Sequence, residues 1–455
     1  MNLPACSRRD VLIHGARASL AGICLPTVHG LATMHEAALE NLPANPEYRA
    51  LVCVLLHGGN DAANLIVPRD TAAHALYATA RGNLAVAREQ LLPITPIGDT
   101  RQWGLHPSVP ELRTLFEGGK LAVVANVGTL LQPITRAQYL ARSVPRPAHL
   151  FSHSDQTTLW QLPSARAEGR AGWGGRLCDL MVSLNSGSPL SPAISVAGSN
   201  RLLQGQTVVP YAIGQTGATS LYNTGGATGA RRLATLQALL RQDSPHVLEQ
   251  QLGGLTDQSI ELSTTVQAAL AAAPALATTF PSGSLANQLK MVARLIGVRQ
   301  QIGALRQVFF VRLAGWDTHD NQLTMHPQLL QQLSQALAAF QNAMVELGTE
   351  QLVTTATLSE FGRSLTGNGR GSDHGWGGHA LVLGGAVLGR RIFGTMPDLA
   401  LGGPDDAGAG RFIPTTAVEQ YAATLARWFG VASNQLGEVF PRLSQFSGSN
   451  LGFLG

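Results

Sequence analysis

LVTTATLSEFGRSLTGNGRGSDHGWGGHALVLGG, residues 352–385, is the stretch from which the fold is read. It opens on a β-branched apolar run, Leu352–Leu358, of the kind a parallel strand buried on both faces requires, and it closes on a second apolar run after His379. Between the two runs stand Glu360, Arg363, Asp373, His374 and His379, and seven glycines lie between the first and the last of these. With so little side-chain bulk in the way, the polar groups can converge where backbone passes close to something else. A functional centre is expected here.

Outward from this stretch the chain repeats strand, loop and helix. Leu51–Leu56 is a continuous apolar strand that stops at His57-Gly-Gly-Asn-Asp61, which puts Asp61 just past the carboxyl end of a buried strand, where open α/β sheets collect ligands. Gly58-Gly-Asn-Asp61 is also good turn chemistry. Further strands are expected at Leu121–Ala125, Pro192–Val196 and Leu305–Leu313, with a short edge strand near Arg391–Gly394. Residues 84–110 read as a loop-rich excursion. The strand ending at Leu313 delivers Gly-Trp-Asp317-Thr-His319-Asp-Asn-Gln, and an Asp and a His two apart on extended backbone point to one side and can share a cation. A turn in which Asp317 caps the next helix is the alternative. That helix carries Leu329, Leu330, Leu333, Leu337, Phe340 and Met344 at the 3.6-residue period and stops at Gly348. In His149-Leu-Phe-Ser-His-Ser-Asp-Gln156 the hydroxyl of Ser152 reads two ways, as a helix cap or as a nucleophile at a helix N-terminus. Residues 205–300 are Ala/Gln/Leu-rich and read as a helical insertion or cap.

The 455 residues are 45% hydrophobic and 13% charged, enough to bury a large core. The formal charge of +4 is spread over scattered arginines, with no basic run that would imply nucleic acid. Nothing in the sequence reaches the uninterrupted apolar length of a bilayer span, so no stable membrane span is expected. Residues 1–40 read as a leader: Ser7-Arg8-Arg9-Asp10-Val11-Leu12 followed by the apolar Leu20–Val28 matches the twin-arginine export pattern. The expectation is passage through the twin-arginine translocase to the periplasm or the medium. Cys6 and Cys24 fall in the leader, and Cys53 and Cys178 are expected as buried free thiols.

The loops GGND, SHSDQ, GWDTHDNQ, SEFGR and DHGWGGH, in this order behind a twin-arginine leader, resemble an exported bacterial family of unknown function related to sulfatases and alkaline phosphatases. The resemblance implies an alkaline-phosphatase-like three-layer α/β/α sandwich over residues 41–455, with a mostly parallel central sheet and metal at the carboxyl ends of its strands. On that resemblance Asp61 is the first-strand metal carboxylate, Asp317 and His319 form the later ligand loop, Asp373 and His374 form the Asp-His pair, and His379 is the last histidine. Glu360 stands where a sulfatase would place Asp-His, Arg363 would clamp an oxyanion, and Ser152 lies where the nucleophile sits. No Cys-x-Pro-x-Arg is present, so the formylglycine nucleophile of true sulfatases is absent. The implied chemistry is divalent-metal hydrolysis of a small or polymeric phosphate or sulfate ester, with zinc or manganese suited better than calcium to mixed carboxylate and imidazole ligands. The rival is an exported binding or assembly protein that keeps the fold with a degenerate site.

Overall fold

The computed structural model describes residues 47–162, 171–218 and 221–455. The twin-arginine leader, with Cys6 and Cys24, lies outside the described residues. Cys53 and Cys178 are buried and unbridged. In chain order the strands are β1 (Arg49–His57), β2 (Ile66–Pro68), β3 (Leu92–Ile94), β4 (Trp103–Leu105), β5 (Leu121–Gly128), β6 (Ala193–Ser195) and β7 (Tyr211–Ala212). There follow β8 (Arg306–Ala314), β9 (Val353–Leu358), β10 (Arg363–Gly367), β11 (Ser372–His374), β12 (Gly378–Leu383), β13 (Ile392–Phe393) and β14 (Thr416–Ala417).

The period of a strand decides the layering. Along β1, Ala50, Val52, Val54 and Leu56 enter one apolar cluster and Leu51, Cys53 and Leu55 enter another, because successive side chains point to opposite faces. Helices cover both faces. The first cluster is closed by Pro110–Glu117, Ser284–Gly297 and Gln322–Glu346. The second is closed by Trp173–Leu180 and Val418–Phe429. A strand covered twice has no polar face to show, which is why β1 and most of β5 read as continuous apolar runs and β9 as a β-branched run of Val, Thr, Ala and Leu. Each fully buried Leu or Phe contributes roughly 1.5–3 kcal/mol of apolar burial, so the sheet and its two helical layers hold together as one body.

The central sheet has nine strands in the order β13-β5-β12-β9-β1-β8-β6-β7, with β14 beside β5. β1 pairs in parallel with β8 and β9, and β8 with β6. β12 runs antiparallel to both β5 and β9. The architecture is therefore α/β with a mostly parallel sheet. β1, β8 and β9 end side by side, and β12 begins at that same edge, so residues 58–61, 315–321, 359–362 and 375–378 share one rim.

Three departures from the sequence expectation have local causes. Residues 84–110 are not only loop, since β3 and β4 join β2 in a small antiparallel sheet whose three-residue strands, holding Pro93 and Gly104, are too short to show a period. The glycine-rich link after Glu360 forms the hairpin β10–β11, which pairs Arg363 with His374. Of residues 205–300, the helices Gly226–Leu240 and Val247–Ala272 are largely exposed, whereas Ser284–Gly297 buries Leu285, Leu289, Val292 and Ile296 in the main core.

Candidate metal centre

Asp317 sits in the loop after β8 and is the hub of the rim. Its Oδ1 lies 3.1 Å from His319 Nε2, 3.2 Å from His374 Nε2 and 2.7 Å from Arg363 Nη1. Its Oδ2 lies 3.4 Å from His153 Nε2. The two nitrogens His319 Nε2 and His374 Nε2 are 2.8 Å apart. Ligand atoms of His153, Asp317 and His374 all fall within 4.8 Å of one another. His319 adds a fourth donor through its contacts with two of them.

The other nitrogen of each ring explains why these atoms face inward. His374 Nδ1 is 2.6 Å from the Phe151 carbonyl, His153 Nδ1 is 2.9 Å from Glu360 Oε1, and His319 Nδ1 is 3.2 Å from Asp373 Oδ1. A carbonyl or carboxylate oxygen accepts, so each Nδ1 carries the hydrogen and each neutral Nε2 presents a lone pair. With neutral rings three lone pairs face the Asp317 carboxylate, which already accepts from Arg363 Nη1; the raised pKa of His153 favours a positive charge at its Nε2, a proton or a metal ion. A cation among them resolves that arrangement, and an imidazole whose far N–H is held by an acceptor is oriented as metal-ligating histidines are. His153 Nε2 and Glu360 Oε2 are buried without a hydrogen-bond partner.

The local electrostatics agree. The Glu360 hydrogen bond, against the opposing effect of burial, raises the His153 pKa, so positive charge is favoured between Glu360 and Asp317. Burial, with the His153 charge adding to it, lowers that of His374. For Asp317 burial opposes ionisation, and the Arg363 hydrogen bond and charge outweigh it and hold the carboxyl below its usual range.

The backbone makes this approach feasible. Gly58 has φ +124°, a region that L side chains rarely adopt, and a Cβ there would lie 2.3 Å from the Asp317 nitrogen. Its N–H donates to Glu360 Oε1 at 2.7 Å, which ties the β1 loop to the β9 loop. Gly371 in the β10–β11 turn would press a Cβ 2.1 Å from the Thr318 carbonyl, so only glycine lets the hairpin lie on the Asp317 loop.

The structure divides the residues named from sequence. It gathers Asp317, His319 and His374 at the hub, with Glu360 and Asp373 behind two of the rings. Arg363 is there too, but its guanidinium is fully buried against Asp317 and also donates to the carbonyls of Gly58 and Ser372. Ser152 caps the helix His153–Gln161, and its hydroxyl donates to Asp155 Oδ2 at 2.6 Å. Asp61 is elsewhere: its Oδ2 takes hydrogen bonds from Arg81 and Gln322, all three side chains being buried. His379 is elsewhere too, accepting at Nδ1 from the Asn126 N–H at 3.1 Å, with burial lowering its pKa to about 4. His153 was not singled out from sequence. Its signal was an imidazole at the first helical position, beside hydroxyls that draw attention as caps.

A family model described as "Protein of unknown function (DUF1501)" matches residues 48–437. No curated protein matches the sequence. Solved structures with a similar course of chain include the PsFucS1 sulfatase from Pseudoalteromonas sp., 8% identical, with a TM-score of 0.34 over 94% of this chain and 74% of that one. A mutant of the alkaline phosphatase PafA is 10% identical, with a TM-score of 0.30 over 71% and 64% of the two chains. The C-terminal periplasmic domain of EcEptC from Escherichia coli, in complex with Zn, is 10% identical, with a TM-score of 0.30 over 75% and 77%. These likenesses concern the path of the chain and carry nothing about the site.

Proposed function

The chain belongs to the DUF1501 family of proteins of unknown function, and from that premise we propose that it is an exported metal-dependent hydrolase-like protein for phosphate or sulfate esters. The observation that carries the proposal is the convergence of three imidazole Nε2 atoms on Asp317 while acceptors hold all three Nδ1 atoms. His153, Asp317, His319 and His374 would hold the metal. Glu360 and Asp373 orient two of the rings, and Asp61 and His379 stand outside the ligand set. Three nitrogens and one oxygen suit zinc better than calcium or magnesium, which prefer all-oxygen shells. When bound, such a cation stabilises charge on an ester oxygen and lowers the pKa of water. Arg363 keeps Asp317 ionised. Asp155, whose carboxyl the Ser152 hydroxyl holds below its usual range, orients that hydroxyl next to the ligand His153 and is a weak acceptor for its proton. The Arg8-Arg9 leader would carry the folded protein across the inner membrane; among the described residues no helix is long and apolar enough to cross one.

One observation favours a second reading, a metal-binding protein without turnover: Arg363 is fully buried and bound to Asp317 and two backbone carbonyls, so it is not presented to clamp an ester anion. Metal analysis of the folded protein together with a phosphatase and sulfatase substrate panel separates the two. The expected result is stoichiometric metal and turnover, both lost in Asp317→Ala with the fold unchanged by circular dichroism. Metal with no turnover on any ester establishes the binding protein instead. A wild-type protein that takes up no added zinc or manganese overturns both.

A further inference from the structure

The helix Val247–Ala272 lives in two environments. Its second half is anchored, with Val266 and Leu270 buried in the main core and Leu262 and Ala269 packed against it. Its first half stands off the body with only the helix Gly226–Leu240 beside it, and there Val247, Leu248, Leu252 and Leu255 are 76%, 73%, 67% and 55% exposed, joined by Leu239 at 57%. Leu248, Leu252 and Leu255 follow the i, i+4, i+7 spacing of one helix face. A single bare apolar residue is ordinary on a protein surface, but three leucines along one helix face, with Val247 and Leu239 exposed on the same pair of helices, make apolar surface on the order of 500 Å² of the kind that marks an interaction site.

The two helices are firmly joined, so the patch is presented rather than loose. Gly253 lies so close to the Leu240 carbonyl that a Cβ would sit 2.6 Å from it, and Arg241 bridges to Asp257 and Glu261 across the pair. Nearer the body, the same hairpin has a groove of about 360 Å³ lined by Tyr211, Leu233, Ile260, Thr264 and Gln267. Ile260 is about 18 Å along the helix from Leu248 at the 1.5 Å rise per residue. The charges are also unevenly placed. Arg231 and Arg232 are exposed near the body without an ion pair among the described residues, while Glu249, at the tip, is engaged by the Ser244 hydroxyl and by no cation.

We propose that this hairpin is a self-association surface, in which two copies of the chain lie antiparallel, the leucine-bearing tip of each on the groove of the other. Tip and groove sit on one hairpin, so the rotation that seats the first tip also seats the second, and the contact closes as a two-fold dimer. The same arrangement brings Glu249 of each copy to Arg231 and Arg232 of the other. The apolar part alone falls short of the roughly 800 Å² per partner of a standard interface, and the charged rim adds to it.

The test is sedimentation of the folded full chain at micromolar concentration. The expected result is a dimer that becomes a monomer in Leu248→Glu/Leu252→Glu, with the circular dichroism spectrum unchanged because neither side chain packs inside the single chain. Arg231→Glu/Arg232→Glu should raise the dimer Kd roughly tenfold or more by placing like charges together. Adding Glu249→Arg to that double variant should restore it, an outcome that a merely sticky patch would not give. A wild-type protein that stays monomeric at tens of micromolar, a leucine double variant that remains dimeric, or tip leucines that instead bind it to phospholipid vesicles would each overturn the proposal.

Discussion

Asp61 and Asp317 end adjacent parallel strands, each meets an arginine, and each is expected from sequence to hold metal, yet they sit in opposite surroundings. Asp61 is closed off: Arg81 and Gln322 take its Oδ2, and the side chains of the ion pair have no exposure. Arg81 further donates to the carbonyls of Ser364 and Leu365, so the pair pins the helix Thr71–Arg81 to β10. Asp317 keeps 45% of its side chain exposed and is ringed by the Nε2 atoms of His153, His319 and His374. What separates the structural carboxylate from the proposed ligand is therefore its neighbours. Both carboxylates meet a guanidinium, and Asp61 keeps a buried Oδ1 without a partner, so the difference lies in the imidazoles: three surround Asp317 and offer nitrogen donors for a cation, and none contacts Asp61 by a hydrogen bond among the described residues.

The largest test of this contrast is stability. Arg81→Ala leaves Asp61 buried and unpaired, which costs roughly 3–5 kcal/mol, whereas Asp317→Ala in metal-free protein removes a half-exposed carboxylate from the buried Arg363, which keeps the carbonyls of Gly58 and Ser372, and should cost clearly less. Denaturant unfolding of the two variants reads the difference directly. Equal losses would mean that Asp317 is as structural as Asp61 and would break the comparison.

The frame of this contrast was legible in the sequence and its details were not. β1, β5, β8 and β9 announce themselves because strands covered on both faces are built mainly of apolar and β-branched residues, and the loops after them follow. Which way an imidazole points is another matter. His153 is fixed by Glu360, 207 positions away, and Arg81 reaches Asp61 from the end of a helix whose own pattern gives no hint of it. Asp61 and Asp317 look alike in sequence because the groups that distinguish them come from other elements. The hairpin β10–β11 was hidden for a different reason: its glycines serve close approach to the Asp317 loop and supply no apolar period.

The Asp61 side also predicts a pH dependence. His106 and His326 stand edge to face at 5.9 Å on that side, and burial, opposed by the Asp61 charge, lowers both from the ordinary 6.5 to about 4. Below pH 6.5 the unfolded chain takes up protons that the folded chain refuses until about pH 4. Stability is thus full at neutral pH and falls across that window, by up to about 3 kcal/mol per imidazole. Unfolding midpoints of wild type and His326→Phe between pH 7 and pH 4 check this, and the variant's slope should be the shallower. Parallel slopes would show that His326 takes up its proton in the folded state.

The finest test lies within the Asp317 cluster, between the two carboxylates that orient its rings. Glu360 is fully buried, accepts from the Gly58 N–H and holds His153 Nδ1, whereas Asp373 is about half exposed where it meets His319. A negative charge behind a ligand ring raises the basicity of its Nε2, and it does so more where water is excluded. Glu360→Gln keeps the shape and the Gly58 hydrogen bond but removes the charge, so zinc affinity should fall about 10–100-fold, some 1.4–2.7 kcal/mol. Asp373→Asn acts through an exposed contact that water can replace, and its effect should stay below about tenfold. Competition titration with a chromogenic chelator ranks the two. If Asp373→Asn proves the more damaging, the metal is held from the His319 side, and His153 with its buried glutamate becomes part of the scaffold, as Asp61 is.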